Sequence, residues 1–279
     1  FWQLSVKTIV LSMIIGGASG VLTSALTSSY LSDYAIQLSE LTAPLRTIEE
    51  RPKSFPGSFV EAVSSFEKDT LKSVATFYSK SAKGLYGFEE SAKTASGVVL
   101  TSDGWIAVAG STSAKLLSSS VYVKDGLYDV VQVVTDKNTN ILFVKIDATG
   151  LPVVSFGSGL DLSLGEQLLT SSGEGLFNST SVLEQKWPKG KVVSSDNPQR
   201  RVVLEENSIE PGSVIFDLSG SLVGFSVKEG SVSQMLPIDG VIPALSSLLE
   251  NKKIIRPTLG VQYIDIFHSV GLTEKTTRS

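Results

Sequence analysis

The chain has no cysteine and a single histidine, His268, among 279 residues. The first absence excludes disulfides, thiolate metal sites and thiol nucleophiles. The second leaves little for a zinc or copper centre, so neither a metal nor any other cofactor is expected. Charge is sparse as well: 24 basic residues against 28 acidic ones, a net charge of −4. No basic stripe runs through the chain, and a nucleic-acid partner is therefore not expected. A cysteine-free domain suits a compartment outside the cytoplasm without needing oxidative folding. Hydrophobic residues make up 42% of the chain, enough for one large core or two modest ones.

Charge is missing altogether from residues 8–31, TIVLSMIIGGASGVLTSALTSSYL, a run of 24 residues. A bilayer span needs about 20. Gly16, Gly17, Ala18, Ser19 and Gly20 place small side chains at close spacing, where another helix could approach. Lys7 precedes the run, and the next basic residue is Arg46, after Asp33 and Glu40. That asymmetry puts the N-terminus in the cytoplasm and the rest outside. A cleaved signal peptide is the competing reading; the length favours a retained signal anchor. The expected organisation is a transmembrane anchor over 1–31, then a stalk helix and linker over 32–57. Leu31, Tyr34, Ala35, Leu38, Leu41, Leu45 and Ile48 recur near helical spacing, which reads as an amphipathic stalk with docking as a second role. The linker RPKSFPG (51–57) ends it.

One further helix is predicted over FVEAVSSFEKDTLKSV, beginning at Phe59. Beyond it short β-type runs alternate with turn residues: ATFYSK, SGVVLTSDGWIAVAG, SSSVYVKDG, YDVVQVVTD, ILFVKID, LPVVSFG, EQLLTSSG, SVLEQKW, KVVSSD, RVVLEEN and SVIFDLSGSLVGFSV. Their spacing of about 8–12 residues marks an all-β sandwich or barrel. TSDGW and LSGSL are tight-turn signals, and a helix over 238–254 closes the region. Asn178-Ser179-Thr180 fits a glycosylation pattern but reads as a turn. Trp105 and Trp187 read as core or barrel-rim aromatics, and Trp2 as an interfacial anchor. Lys186, Lys189, Lys191, Arg200 and Arg201 read as a solvated loop, with docking to an acidic partner as the second reading. GEGLFNST and GSGLDLSLG lack the lysine and βαβ context of a phosphate loop.

Five segments then form an ordered set. ASGVVLTSDGWIAVAG (95–110), DKNTNILFVKID (136–147), LPVVSFGSGLDLSLGEQLLTSSGEGL (151–176), IEPGSVIFDLSGSLVGF (209–225) and MLPIDGVIPALSSLLENKKIIRPTLGVQYIDI (235–266) follow one another as in proteases of the HtrA/Deg family, which the chain resembles over roughly residues 58–266. The resemblance implies a mainly β, trypsin-like double β-barrel over 58–256. It also implies the start of a PDZ-like region or a C-terminal tail over 257–279. It places the family histidine on Ser111 and the family aspartate on Asn140. The family's nucleophile loop reads Pro-Gly-Asn-Ser-Gly-Gly-Pro, whereas here Pro211-Gly212 runs directly into Ser213-Val214-Ile215. The resemblance thus carries a degenerate triad at Ser111, Asn140 and Ser213, and the expectation that the chain is a pseudoprotease and not an enzyme. His268 falls after the double barrel, in the PDZ-like opening, and reads as an exposed loop residue. A Ser-Lys dyad would need a desolvated lysine beside a strained serine; Lys145, Lys191 and Lys228 are available, and spacing selects none.

The function expected is that of a membrane-anchored scaffold or accessory subunit of a membrane protein assembly, with its globular domain periplasmic or extracytoplasmic. Its partners would be proteins, the lipid bilayer through residues 8–31, and further copies of itself, a trimer by the family resemblance. Two alternatives stay open: a regulatory or chaperone-like binder of unfolded peptides, and an active serine endopeptidase with a rearranged site.

Overall fold

The computed structural model describes residues 57–263, apart from 174, 187–192, 195–199, 206–208, 230–231 and 257. The expected span over 8–31, the stalk, Trp2, Trp187, Lys191 and His268 lie outside the described residues. Among the described residues, no helix is long and apolar enough to cross a membrane.

Helix α1 (Phe59–Ser65) opens the description. Its start is written locally. The Ser58 Oγ accepts from the Glu61 backbone N–H at 3.2 Å, and the Glu61 carboxylate accepts from the Gly57 N–H at 2.9 Å. This reciprocal pairing satisfies donors that the first turn leaves unpaired. The helix widens to a π-turn over Phe66–Thr70 and tightens to a 3₁₀ turn over Leu71–Ser73.

Among the described residues, fourteen strands follow. The first barrel closes in the order β1 (Val74–Ser79), β2 (Lys93–Val99), β3 (Trp105–Val108), β6 (Leu142–Ile146), β5 (Gly126–Thr135), β4 (Ser119–Val123). The second closes as β10 (Arg201–Leu204), β13 (Val232–Pro237), β12 (Leu222–Glu229), β11 (Val214–Asp217), β7 (Gln167–Gly173), β8 (Leu176–Lys186). A separate two-stranded ribbon pairs β9 (Val193–Ser194) with β14 (Gln262–Tyr263). Mainly β architecture with two closed six-stranded barrels is thus present.

Period-two alternation explains why several strands read as continuous apolar runs. In β2, β3 and β6, Val99, Ile106, Val108, Leu142, Val144 and Ile146 point into the first barrel. The alternate residues Val98, Ala107 and Phe143 join a second cluster with Val214, Phe216, Leu222 and Phe225 of the other barrel. Both faces of these strands are buried, so both carry apolar residues. Phe66 anchors this shared core, packing edge-on against Phe216 and Phe177 at 5.1 and 5.7 Å. The closing helix, α3 (Ile242–Asn251), seals the same cluster through Ala244, Leu245 and Leu248. It is shorter than the expected 238–254. A 3₁₀ turn occupies Ile238–Gly240, and Lys252 takes the left-handed conformation that stops a helix.

Three expectations are corrected. LPVVSFG is not a strand but an extended connector between barrels, tied by Val154 N–H to Val99 O at 3.2 Å and Gly157 N–H to Leu222 O at 2.9 Å. Asn178-Ser179-Thr180 is not a turn; it lies within β8, with Thr170 opposite Asn178. A short helix, α2 (Ser113–Leu117), appears where none was expected. Thr112 caps it by accepting from Lys115 N–H, and Leu116 fills the first barrel. TSDGW and LSGSL do turn, on Gly104 (φ 103°) and Gly220 (φ 79°).

Candidate functional site

The two barrels meet where the chain leaves β3 and where it approaches β11. Gly110 follows β3 with φ of 67°, and Gly212 precedes β11 with φ of 90°. A Cβ on Gly110 would stand 3.3 Å from both Cα and N of Gly212. Ser111, next in sequence, is thereby set beside the 211–213 segment. Its Oγ is buried without a hydrogen-bond partner among the protein atoms described.

Ser213 is 2% exposed. Its Oγ donates to the Glu210 carbonyl at 2.7 Å, and its N–H donates to the same carbonyl at 3.1 Å. The Gly212 N–H donates to Ser226 O at 2.8 Å, and Ser226 N–H donates back to Ser213 O at 2.8 Å. The amides of this short segment therefore point at protein carbonyls. Asn140 lies in an exposed turn with φ of 58°, its N–H donating to Asp136 O at 2.8 Å, two residues before Leu142, which pairs with Val108 of β3. Glycine contact brings Ser111 and Ser213 into one neighbourhood; no hydrogen bond described joins either of them to Asn140.

Side chains that spacing could not select fasten this loop to the first barrel. Lys93 on β2 reaches Glu210 at 2.8 Å, and the buried Ser96 Oγ donates to Gly212 O at 3.2 Å. Lys145, one of the dyad candidates, instead pairs with Asp103 at 2.6 Å and lies 5.7 Å from the Trp105 ring centre. The hydrogen bond from Lys145, then that from Thr101, holds the Asp103 carboxyl below its ordinary range.

Asp136 is the deepest charge near the site, at 1% exposure. Arg256 grips it with two donors, Nε to Oδ1 at 3.0 Å and Nη2 to Oδ2, and also donates from Nη2 to Gly240 O at 3.0 Å. Thr139 Oγ1 donates to Oδ2 at 2.5 Å. Burial pushes this carboxyl up, but the Arg256 and Thr139 hydrogen bonds and the guanidinium charge outweigh it and hold it below the ordinary range. The turn carrying Asn140 is thus fixed to the segment that leaves α3. Asp136 and Arg256 lie far apart in sequence, and no local pattern announces the pair.

Strand β12 is paired on both sides within the closed barrel, but it runs on past the end of β11, and among the described residues that stretch is open. The backbone of Ser226 faces β11 and is bonded on that side. By the period of two, Lys228 turns its N–H and C=O the same way. β11 ends its pairing with β12 at Val214, opposite Phe225, and no described residue bonds to Lys228 on that side. On its other side Lys228 lies opposite Ser233 of β13. Among the described residues, no cluster of three or more His, Asp or Glu forms a metal-ligand set.

Comparison with known proteins agrees with this architecture. A probable periplasmic serine endoprotease DegP-like of Hahella chejuensis is 24% identical over 185 residues, 63% of this chain and 39% of the relative. A protein of the same name from Pseudomonas putida is 25% identical over 182 residues, 62% of this chain and 38% of its own length. The chain thus spans well under half the length of the curated relatives it matches. Among solved structures, HtrA-type protease AlgW with a decapeptide superposes with TM-score 0.54 at 17% identity, covering 73% of this chain and 71% of that one. AlgW with a tripeptide gives 0.51 at 17% identity, covering 70% and 65%. No protein-family model matches. The double barrel therefore has the HtrA/DegP-type trypsin-like serine protease fold.

These relatives overturn one expectation. The resemblance implies a chain that is not an enzyme, yet the proteins it matches are named serine endoproteases. Residue types at three aligned positions, one beside a shortened loop, locate side chains at this divergence. They do not establish that a reaction is lost.

Proposed function

We propose that this chain works on polypeptide outside the cytoplasm, taking up an extended protein segment along the open edge of β12. The observation that carries the reading is Lys228, whose backbone N–H and C=O face the side that β11 vacates. A segment added there would pair main chain to main chain, with its side chains setting specificity. Ser226 and Ser213 lie at the near end of that edge, joined by the 2.8 Å bond already described.

Held at a membrane by residues 8–31, such a domain would act as a scaffold or accessory subunit of a membrane assembly, and its periplasmic relatives support an extracytoplasmic setting. Binding of labelled unfolded casein tests the uptake of extended chain. A stoichiometric protein partner retained through detergent extraction tests the assembly; a monomer with nothing bound would refute it.

A second reading is favoured by the names of the relatives: hydrolysis of the bound segment, with Ser213 as nucleophile in a rearranged site. Casein cleavage, together with fluorophosphonate labelling that disappears in Ser213→Ala, is its expected signature. Labelling that persists in Ser213→Ala would place the reactive serine elsewhere.

A further inference from the structure

Away from the junction of the barrels, the connection from β1 to β2 carries an unusual tip. Leu85 is 90% exposed and Tyr86 is 100% exposed. They are not on a slack loop. Gly84 N–H donates to Gly87 O at 2.8 Å, Gly87 N–H donates back to Gly84 O at 3.4 Å, and Gly87 takes φ of 118°. The pair Leu85–Tyr86 is thereby held at the apex of a closed turn. Phe88 stacks on Tyr78 of β1 at 5.2 Å and steadies the turn from below.

The base of this connection is fastened to the barrel. Lys80 N–H donates to Ser118 O at 3.1 Å, and the Lys80 ammonium pairs with Asp129 at 2.8 Å. Next to those anchor points in sequence stand two more exposed apolar side chains, Leu117 and Val131, at 51% and 63%. At the end of the first barrel where β1 finishes and β2 begins, Leu85 and Tyr86 therefore stand in the open, with Leu117 exposed beside the Ser118 anchor and Val131 exposed within β5. The charges that flank them in sequence are Lys80, Lys83 and Lys115 against Glu89, Glu90 and Asp129, which cancel.

We propose that this end of the first barrel seats on the lipid bilayer, with Leu85 and Tyr86 entering the headgroup boundary. A tyrosine, apolar in body and polar at its tip, suits that boundary. A rigid turn presents it without an ordering cost at the moment of contact. The uncharged run over 8–31 brings a membrane to the same chain. Because the local charges cancel, apolar insertion and not attraction to anionic lipid drives the contact, so it persists on neutral lipid and at high salt. This inference is independent of strand uptake at β12 and rests only on the reading of residues 8–31 as a membrane anchor.

The chain contains no cysteine, so Tyr86→Cys introduces a unique thiol at a position where side-chain exchange leaves the fold intact. The full chain, labelled there with an environment-sensitive nitrobenzoxadiazole dye, is reconstituted into phosphatidylcholine vesicles with and without nitroxide-bearing lipid. Leu164→Cys, 71% exposed in the second barrel, is the control. The expected result is a blue-shifted emission at position 86 and lipid quenching several-fold stronger than at 164, unchanged by 1 M salt. Equal, water-like signals at both positions overturn the contact. A signal at 86 that vanishes on diluting the protein at fixed lipid also overturns it and assigns the tip to a second copy. Flotation separates the two readings: a chain that floats with a water-exposed position 86 refutes the contact alone, and one that does not float refutes the anchor and the contact together.

Discussion

Gly110 and Gly212 meet backbone to backbone where the two barrels join. A Cβ on Gly212 would stand 2.8 Å from the Ala109 carbonyl oxygen, and one on Gly110 would stand 3.3 Å from Gly212 Cα. Both residues have positive φ. Gly212→Ala therefore adds a steric clash to a strained backbone and should lower stability by about 2–3 kcal/mol. Gly110→Ala, with the looser contact, should cost about 1 kcal/mol. Denaturant midpoints of the two variants would give the order.

The Asp136–Arg256 pair gives a prediction with a pH signature. Removing Arg256 leaves a buried carboxylate without its main partner. Allowing for the partial exposure of the guanidinium (21%), Arg256→Ala should destabilise the fold by about 2–4 kcal/mol at pH 7. In the parent chain Asp136 is held below its unfolded value of about 3.9. Its contribution is thus complete above that value and is lost as pH falls through the folded one. In the variant the guanidinium no longer offsets burial, which is opposed only by the Thr139 and Asn138 hydrogen bonds, so the carboxyl moves up relative to the parent. The difference between parent and variant should then shrink steadily as pH falls below about 5, as read from unfolding curves in urea.

Lys93 and Glu210 join the barrels through a contact that is open to solvent at its glutamate end (58%). Lys93→Ala should cost only about 0.5–1 kcal/mol, and 1 M salt should narrow even that. Its clearer effect should be local, with faster amide exchange at Gly212 and Ser213 while exchange within β11 is unchanged.

Much of the fold was legible in the sequence because its signals are local. Alternating or doubly buried apolar runs marked most strands, and Gly104 and Gly220 marked turns that need positive φ. LPVVSFG misled because an apolar run bonded at intervals to two different strands has the composition of a strand without a partner along its length. The short helix over Ser113–Leu117 was missed because a single turn offers too little periodicity to detect.

The site was legible only in part. The resemblance put the triad positions on Ser111, Asn140 and Ser213, and the glycine contact brings the segments of Ser111 and Ser213 together. What fastens them lay beyond reach: Lys93 with Glu210, Ser96 with Gly212, and Arg256 with Asp136 are pairs set by tertiary closure, with no spacing rule to reveal them. The open edge at Lys228 depends on where β11 stops pairing, which a one-dimensional pattern does not register. The inference of lost activity rested on side-chain identity at three positions, and the relatives' names correct it.

The most direct measurement uses the main chain of Lys228 itself. Its N–H faces away from β13, so Lys228→Pro removes a donor from the open edge without removing a β12–β13 hydrogen bond. Lys228→Ala keeps the donor and removes the charge. Fluorescence anisotropy of labelled unfolded casein with the full chain should show saturable binding, weakened at least tenfold by Lys228→Pro and little changed by Lys228→Ala, while both variants keep the parent's unfolding free energy to within about 1 kcal/mol. Equal affinity in the parent chain and Lys228→Pro, or no saturable binding in the parent, would contradict uptake of extended polypeptide along β12.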